Sequence, residues 1–262
     1  MRLPFLRFLD IQRRVIGALL IREIHLRFGR RGIGFLWLPV EPLMFGIPVL
    51  LLWSIVRPKY DHGLSMMDLT VTGYLPILLF RHVSGTMIGF IRGSTEVLYH
   101  RQVTLFDIFV ARTLLEFLGN MMALVLTFTF FYGLGEINFP ANFPLFCLGY
   151  FYMLWWAMAV GLIVGSLAER SVLIEKIWPV YSYTYMFFSG FFFLADWLPP
   201  KIREVALYQP SFQSYEMIRG GMFGNTIKTY GDPAYTTFVL AILLTIGLWA
   251  LRDARMHVEV ES

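Results

Sequence analysis

Arg81 and His82 stand side by side in a long apolar run, Arg112 and Glu116 lie one helical turn apart in another, and Glu41 interrupts a third. A charged group at the centre of a membrane span costs roughly 2.5–3.5 kcal/mol, so each of these must face protein, water or an oppositely charged ligand. The chemistry open to them is recognition. Arg81, with His82 beside it, can contact an anionic substrate or a lipid headgroup, or Arg81 can pair with Glu41 or Glu116; Arg112 and Glu116 can pair with each other. Glu41 either pairs within the bundle or shapes a substrate entrance. Bond-making chemistry has no visible vehicle. The chain lacks the G-x-x-x-x-G-K-[ST] phosphate loop, H-E-x-x-H and G-x-S-x-G, and "GRRGIG" at 29–34 follows a helical pattern rather than a strand. His100 with Glu96 is the one His–carboxylate pairing in view, and it lies in a polar connector. The single cysteine, Cys147, excludes a disulfide framework and a Cys/His zinc spacing, so no metal is expected.

The elements that hold these groups follow from composition. Of 262 residues 57% are hydrophobic, 17% aromatic and 15% charged, and the mean hydropathy is +0.61, against about 25% charged in soluble domains. This predicts an all-α polytopic membrane protein. Runs long enough to cross a bilayer as helix mark six spans near 34–56, 70–91, 107–132, 144–167, 174–194 and 234–251. The first follows Arg2, Arg7, Arg13, Arg14, Arg22, Arg27, Arg30 and Arg31 and is too long for a cleaved leader, whereas residues 133–143 carry no Lys or Arg. Both termini are therefore expected on the cytoplasmic side.

Three polar attachments accompany the spans. Before the first, Ile16, Leu20, Ile24 and Phe28 form an i,i+4 row and Glu23 can pair with Arg27, while Val15, Leu19 and Leu26 make a second apolar face. Such a helix suits the membrane interface, or serves only as a positive anchor. Between the second and third spans, "RGSTEVLYHRQVTLFD" (92–107) can start a short helix at Gly93 and Ser94 with Glu96 in its first turn, either a connector or a plug for a partner protein. Before the last span, Pro199 and Pro200 open a helix through Tyr208, and a second from Ser211 is expected to stop at Gly220 and Gly221. Two short amphipathic helices there read as re-entrant elements, or as a loop on the outer leaflet.

Nine aromatic residues fall between Tyr181 and Trp197. Tyr181, Tyr185, Phe188 and Phe192 follow the spacing of one helical face. That face could line a conduit for sugars, or serve helix packing and an interfacial belt.

"ALLIREIHLRFGRRGIGFLWLPVEP" (18–42) resembles the amino-terminal signature R-E-x-x-x-R-[FY]-G-x-x-x-[IL]-G-[FY]-x-W-x-x-x-[EQ]-P of ABC-2 type permeases that export polysaccharides, particularly capsular ones. Arg22, Glu23, Arg27, Phe28, Gly29, Ile33, Gly34, Phe35, Trp37, Glu41 and Pro42 fill it. "LYHRQVTLFDIFVARTLLE" (98–116) is similar to a second family pattern through Tyr99, Arg101, Val103, Asp107, Ala111, Arg112 and Glu116, while Gln102 and Leu105 stand where the family often has proline.

The resemblance implies a homodimeric half-transporter with a cytoplasmic segment at 1–32 (interface helix about 6–30), a six-span domain at 33–252 and a tail at 253–262. A coupling helix at about 93–103 would seat each copy on a separate ATP-binding subunit, with Glu96, Tyr99, His100, Arg101, Arg22, Glu23 and Arg27 as docking residues. Gate helices would occupy 196–224. Arg81, His82, Tyr181, Tyr185, Phe188, Phe192 and Trp197 would border the path of a lipid-linked polysaccharide, and Trp37, Glu41, Arg112 and Glu116 would shape its entrance. No cofactor is expected in this chain, ATP and Mg being bound by the partner. A periplasmic co-polymerase and an outer-membrane export protein are implied further partners, nucleic acid is not, and the location is the bacterial inner membrane. An O-antigen or teichoic-acid exporter would share this architecture. A membrane glycosyl- or acyltransferase would need a catalytic pair beyond His100 and Glu96, and a passive channel would need no ATPase.

Overall fold

The computed structural model describes residues 4–28, 40, 43–44, 47–48, 51–52, 60–61, 64–94 and 103–261. Within these the chain is a helical bundle with one small hairpin. Helix α1 (Pro4–Phe28) is followed by β1 (Tyr60–Asp61) and β2 (Leu64–Ser65), which pair antiparallel. Then come α2 (Met66–Gly85), α3 (Leu105–Gly133), α4 (Phe143–Arg170), α5 (Val172–Tyr185), α6 (Pro200–Leu207), α7 (Pro210–Phe223) and α8 (Pro233–Glu261). Three described segments are long and apolar enough to cross a membrane: Leu105–Gly133, Phe143–Ala168 and Pro233–Ala254. They match the third, fourth and sixth expected spans. The first expected span lies largely outside the described residues.

Helix starts follow capping chemistry. Thr104 and Asp107 form a reciprocal capping box at α3, and the Ser65 and Asn142 side chains accept from Asp68 N and Leu145 N at α2 and α4. Two helix ends differ from expectation. The second span, expected over 70–91, is a helix from Met66 to Gly85 and then a series of turns, with Gly89 at φ 67°. The fifth, expected over 174–194, is helical only to Tyr185 and turns through Gly190, whose φ of 93° lies in the left-handed region.

Helix α4 is the centre of the bundle, packed against α2, α7 and α8. The main core joins Leu79 and Phe80 of α2, Met153 and Ala157 of α4, and Tyr215 and Ile218 of α7. A second cluster at the opposite end unites Leu19 of α1 with Phe90, Ile108, Phe109, Leu162 and Leu251. Helices α4 and α7 cross so closely that a Cβ on Gly149 would lie 2.6 Å from the Ile218 amide nitrogen, and one on Gly221 would overlap the backbone of Phe146. This is the small-residue packing by which helices approach in lipid. Consequently α7 continues through Gly220 and Gly221, where a stop was expected, and ends at Phe223 before Gly224.

Gly221→Ala must displace backbone and is expected to lose about 1–3 kcal/mol or more, seen as a lower melting temperature and folded yield in detergent. Gly17→Ala, where no atom lies within 4 Å, should instead leave stability unchanged or raise it by about 0.5–1 kcal/mol.

Candidate functional site

Three groups of residues bear on function, from one end of the bundle to the other. At the first end, α1 lies along α3. Leu19 is buried, with Val15, Ile16 and Leu20 beside it, so residues of both expected apolar faces turn inward, whereas Ile21 and Leu26 stay exposed. Glu23 is 3% exposed; the Arg27 side chain, its expected partner, lies outside the described residues. Glu23 accepts from Nε of Arg112 at 3.1 Å and lies 3.7 Å from Arg22. Nη1 of Arg112 also donates to the Thr86 carbonyl. Arg112 and Glu116 therefore do not form the expected pair, because Glu23 claims Arg112 and Glu116 faces His82 at 3.7 Å. Arg27 belongs to the last turn of α1.

Next to this pair, a single 3-10 turn, Arg92–Ser94, opens the segment expected to dock a partner. Glu96, Tyr99, His100 and Arg101 lie outside the described residues, as do Trp37 and Glu41. Arg92 is the first residue of that turn. In the structure its Nε donates to Glu169 at 2.8 Å and its Nη2 to Glu175 at 3.1 Å, linking the turn to the end of α4 and the start of α5. The Glu169 carboxylate beside it raises the Arg92 pKa above its ordinary value. Arg170 pairs with Asp253 of α8 in the same layer. Short sequence spacing could not show these pairs, since Arg92 and Glu169 are 77 residues apart.

At mid-height, the Arg81 guanidinium sits 3.4 Å from the Tyr183 ring centroid. Its Nε is buried and takes no hydrogen-bond partner among the described residues. A cation over an aromatic face gains about 0.5–2 kcal/mol, less than a buried ion pair requires. Glu116 is not its partner, being turned to His82. Around Tyr183 the aromatic residues divide. Tyr185 is buried, its ring 5.0 Å from Phe80 and its hydroxyl 2.7 Å from Ser211 Oγ. Tyr181, Tyr183, Phe187 and Phe188 are 49%, 56%, 57% and 68% exposed. The expected single face of Tyr181, Tyr185, Phe188 and Phe192 does not form, because the helix stops at Tyr185. Phe192 is half-buried and packs edge-on to Phe191 at 4.3 Å. Trp197 packs on Leu64, Met66, Leu69 and Leu194.

The other end is organised by α7, a 14-residue helix whose side chains from Pro210 to Met222 are all buried. It is not amphipathic, contrary to expectation, since protein surrounds it; α6 instead exposes Ile202 and Val205. Sequence reading missed Glu216 and Arg219, one turn apart and both 0% exposed. Arg219 donates to the carbonyls of Gly190 at 2.7 Å, Phe193 at 2.6 Å and Phe191 at 2.5 Å. Glu216 accepts from the amides of Ala195 at 2.9 Å and Tyr230 at 3.1 Å. Gln213 adds a bond from the Asp232 amide, and Arg203 holds the Ala195, Asp196 and Leu198 carbonyls. Among the described residues no three His, Cys, Asp or Glu side chains converge on a metal site.

A family model described as ABC-2 type transporter matches residues 14–223. The capsule polysaccharide export inner-membrane protein CtrC of Neisseria meningitidis serogroup B is 37% identical over 93% of this chain and 92% of its own length. The capsule polysaccharide export inner-membrane protein BexB of Haemophilus influenzae is 35% identical, over 97% and 96%. The polysialic acid transport protein KpsM of Escherichia coli is 23% identical, over 91% and 93%.

Removing the Arg219 fork leaves the buried carbonyls of Gly190 and Phe191 and the partly buried one of Phe193 without this donor, at about 1–3 kcal/mol for each buried group left unsatisfied. Arg219→Ala should therefore lower the melting temperature sharply and open the 186–197 segment to proteolysis. Arg203→Ala, at a half-buried site, should do so less.

Proposed function

We infer the role of this chain from the ABC-2 type transporter family, to which it belongs, and propose that it is the transmembrane subunit of an ATP-driven exporter of lipid-linked capsular polysaccharide. The observation that carries this reading is near-full-length similarity to two capsule polysaccharide export inner-membrane proteins. The chain itself performs no bond chemistry. ATP and Mg are bound by a separate ATP-binding subunit, two copies of which sit beneath a homodimer of this chain. The protein lies in the inner membrane with both termini cytoplasmic and six spans in all. Residues 1–32 form the interface segment, 33–252 the membrane domain and 253–262 the tail. A periplasmic co-polymerase and an outer-membrane export protein continue the route.

The geometry supports a division of labour. Residues 93–103 seat the ATP-binding subunit, with Arg22, Glu23 and Arg27 of α1 alongside. A displacement of that segment is passed on by Arg92, which grips both the end of α4 and the start of α5. The transport cycle is then a two-state rearrangement biased by nucleotide in the partner. Helices α6 and α7 form a re-entrant outer gate. An irregular backbone at membrane depth is tolerated where protein satisfies it, and the Arg219 and Glu216 contacts do so for the turns around α7. Arg81, poised over Tyr183, meets anionic groups of the passing substrate, and exposed Tyr181 and Phe188 border its path.

Co-purification with the ATP-binding subunit, and a change in its ATP hydrolysis when this chain is present, is the deciding experiment; no binding and no change would overturn the assignment. Arg101→Glu and Tyr99→Ala are expected to reduce that binding or the ATPase response, and normal export with intact complexes would refute the docking role. Arg81→Ala should cut export while folded protein persists, and unchanged export would make Arg81 structural. Because Tyr185 is buried and Tyr181 half exposed, Tyr181→Ala should slow export more than it lowers folded protein. Tyr185→Ala should lower both together.

A further inference from the structure

A cavity of about 430 Å³ lies between α3 and α4, toward the end that carries the 134–142 loop. Met121, Leu124 and Val125 form one wall, and Phe143, Cys147 and Tyr150 the other. No charged side chain lines it. Its volume falls within the range of small-ligand sites, about 300–1,000 Å³, yet apart from the Cys147 thiol its polar side-chain groups are only the Thr129 and Tyr150 hydroxyls, too few to fix a polar ligand. Its walls also say where it opens. Both α3 and α4 are apolar enough to cross a membrane, and Val125, Phe143 and Phe151 at its rim are 62%, 51% and 55% exposed. The mouth therefore faces bilayer hydrocarbon, where water and sugars are excluded and the abundant molecule is a lipid tail.

We propose that this cavity holds one acyl chain of a membrane phospholipid. A flexible methylene chain follows the irregular wall of ring edges and thioether better than a rigid helix side could, and filling the space restores the dispersion contacts that an empty apolar cavity forfeits. The site also has a structural consequence. Phe146, which lines it, is the residue whose backbone meets Gly221 of α7. The bound chain thus packs directly behind the surface on which α7 rests, and holds α4 against it. This does not depend on which polymer is exported.

The test uses the full-length protein in vesicles of phosphatidylethanolamine and phosphatidylglycerol, doped with a phospholipid bearing a diazirine on one acyl chain and free of polysaccharide. After irradiation, adducts are mapped by mass spectrometry. They are expected to concentrate on the cavity walls of α3 and α4. Cys147→Trp, and independently Val125→Trp, should abolish those adducts while leaving the ones on exposed Phe238 and Trp249 of α8 in place. An even distribution over all exposed apolar faces, unchanged in either variant, would show annular contact only and overturn the proposal. So would a cavity free of adducts in the unaltered protein, a map that decides the matter even if both variants fail to fold. Cys147 is the only cysteine in the chain, so efficient Cys147–Cys147 bridging by a short bismaleimide would show a second copy over the cavity and likewise refute it.

Discussion

Inside a packed helical bundle no water is available to accept a hydrogen bond, so every turn of backbone that leaves a helix there must be satisfied by the protein. This constraint accounts for the least expected part of the structure. Between Met186 and Asp232 the chain abandons long helix for turns, a short exposed helix and α7. The backbone groups so released are collected by a few side chains. Arg219 takes three carbonyls, Arg203 three more, and Glu216 and Gln213 three amides. Two of these collectors, Arg219 and Glu216, are fully buried charges on one turn of α7. They can be there because main-chain carbonyls replace water at both terminal nitrogens of Arg219 and main-chain amides do so at both oxygens of Glu216.

The rest of the bundle depends on that arrangement through α4. Gly149 of α4 and Gly221 of α7 let the two helices lie together without intervening side chains, so the buried helix is clamped on one side by polar contacts and on the other by close backbone packing. At the far end α4 is tied differently. Arg170 and Glu169 connect it to α8 and to the turn at Arg92. These contacts are partly exposed and worth little individually. The contrast is mechanical: a rigid element at the α7 end and a more yielding layer at the end that holds α1. The Glu23–Arg112 pair of α1 and α3 is among the better shielded contacts of that layer, at 4% and 14% side-chain exposure.

Features carried by local spacing were legible in the sequence. Apolar run length located α3, α4 and the start of α8 to within a few residues, and the Pro199–Pro200 pair and Pro210 lie at the starts of α6 and α7. Where contacts are distant, spacing misled. Arg112 with Glu116 at i,i+4 suggested a pair, but the partner of Arg112 is Glu23, 89 residues earlier. The aromatic run after Tyr185 stays apolar, so the fifth helix seemed to continue; it ends where Arg219, 28 residues on, takes the Phe191 carbonyl. Nothing in the local spacing of Glu216 and Arg219, at i and i+3, sets them apart. Only the burial of α7 reveals them as interior, and no periodicity marks a helix that is enclosed on every side. The family signature at 22–42 was found by its fixed positions, most of which fall outside the described residues, so the likeness and the geometry support the same reading from different parts of the chain.

The central claim is that this chain is the membrane half of an ATP-driven polysaccharide exporter. Its most direct test is transport in inside-out vesicles holding this chain and its ATP-binding subunit, supplied with lipid-linked capsular polysaccharide. The account predicts that ATP makes the polymer resistant to an added depolymerase, and that a nonhydrolysable analogue does not. Protection without ATP, or none with it in the presence of an intact complex, would contradict the account.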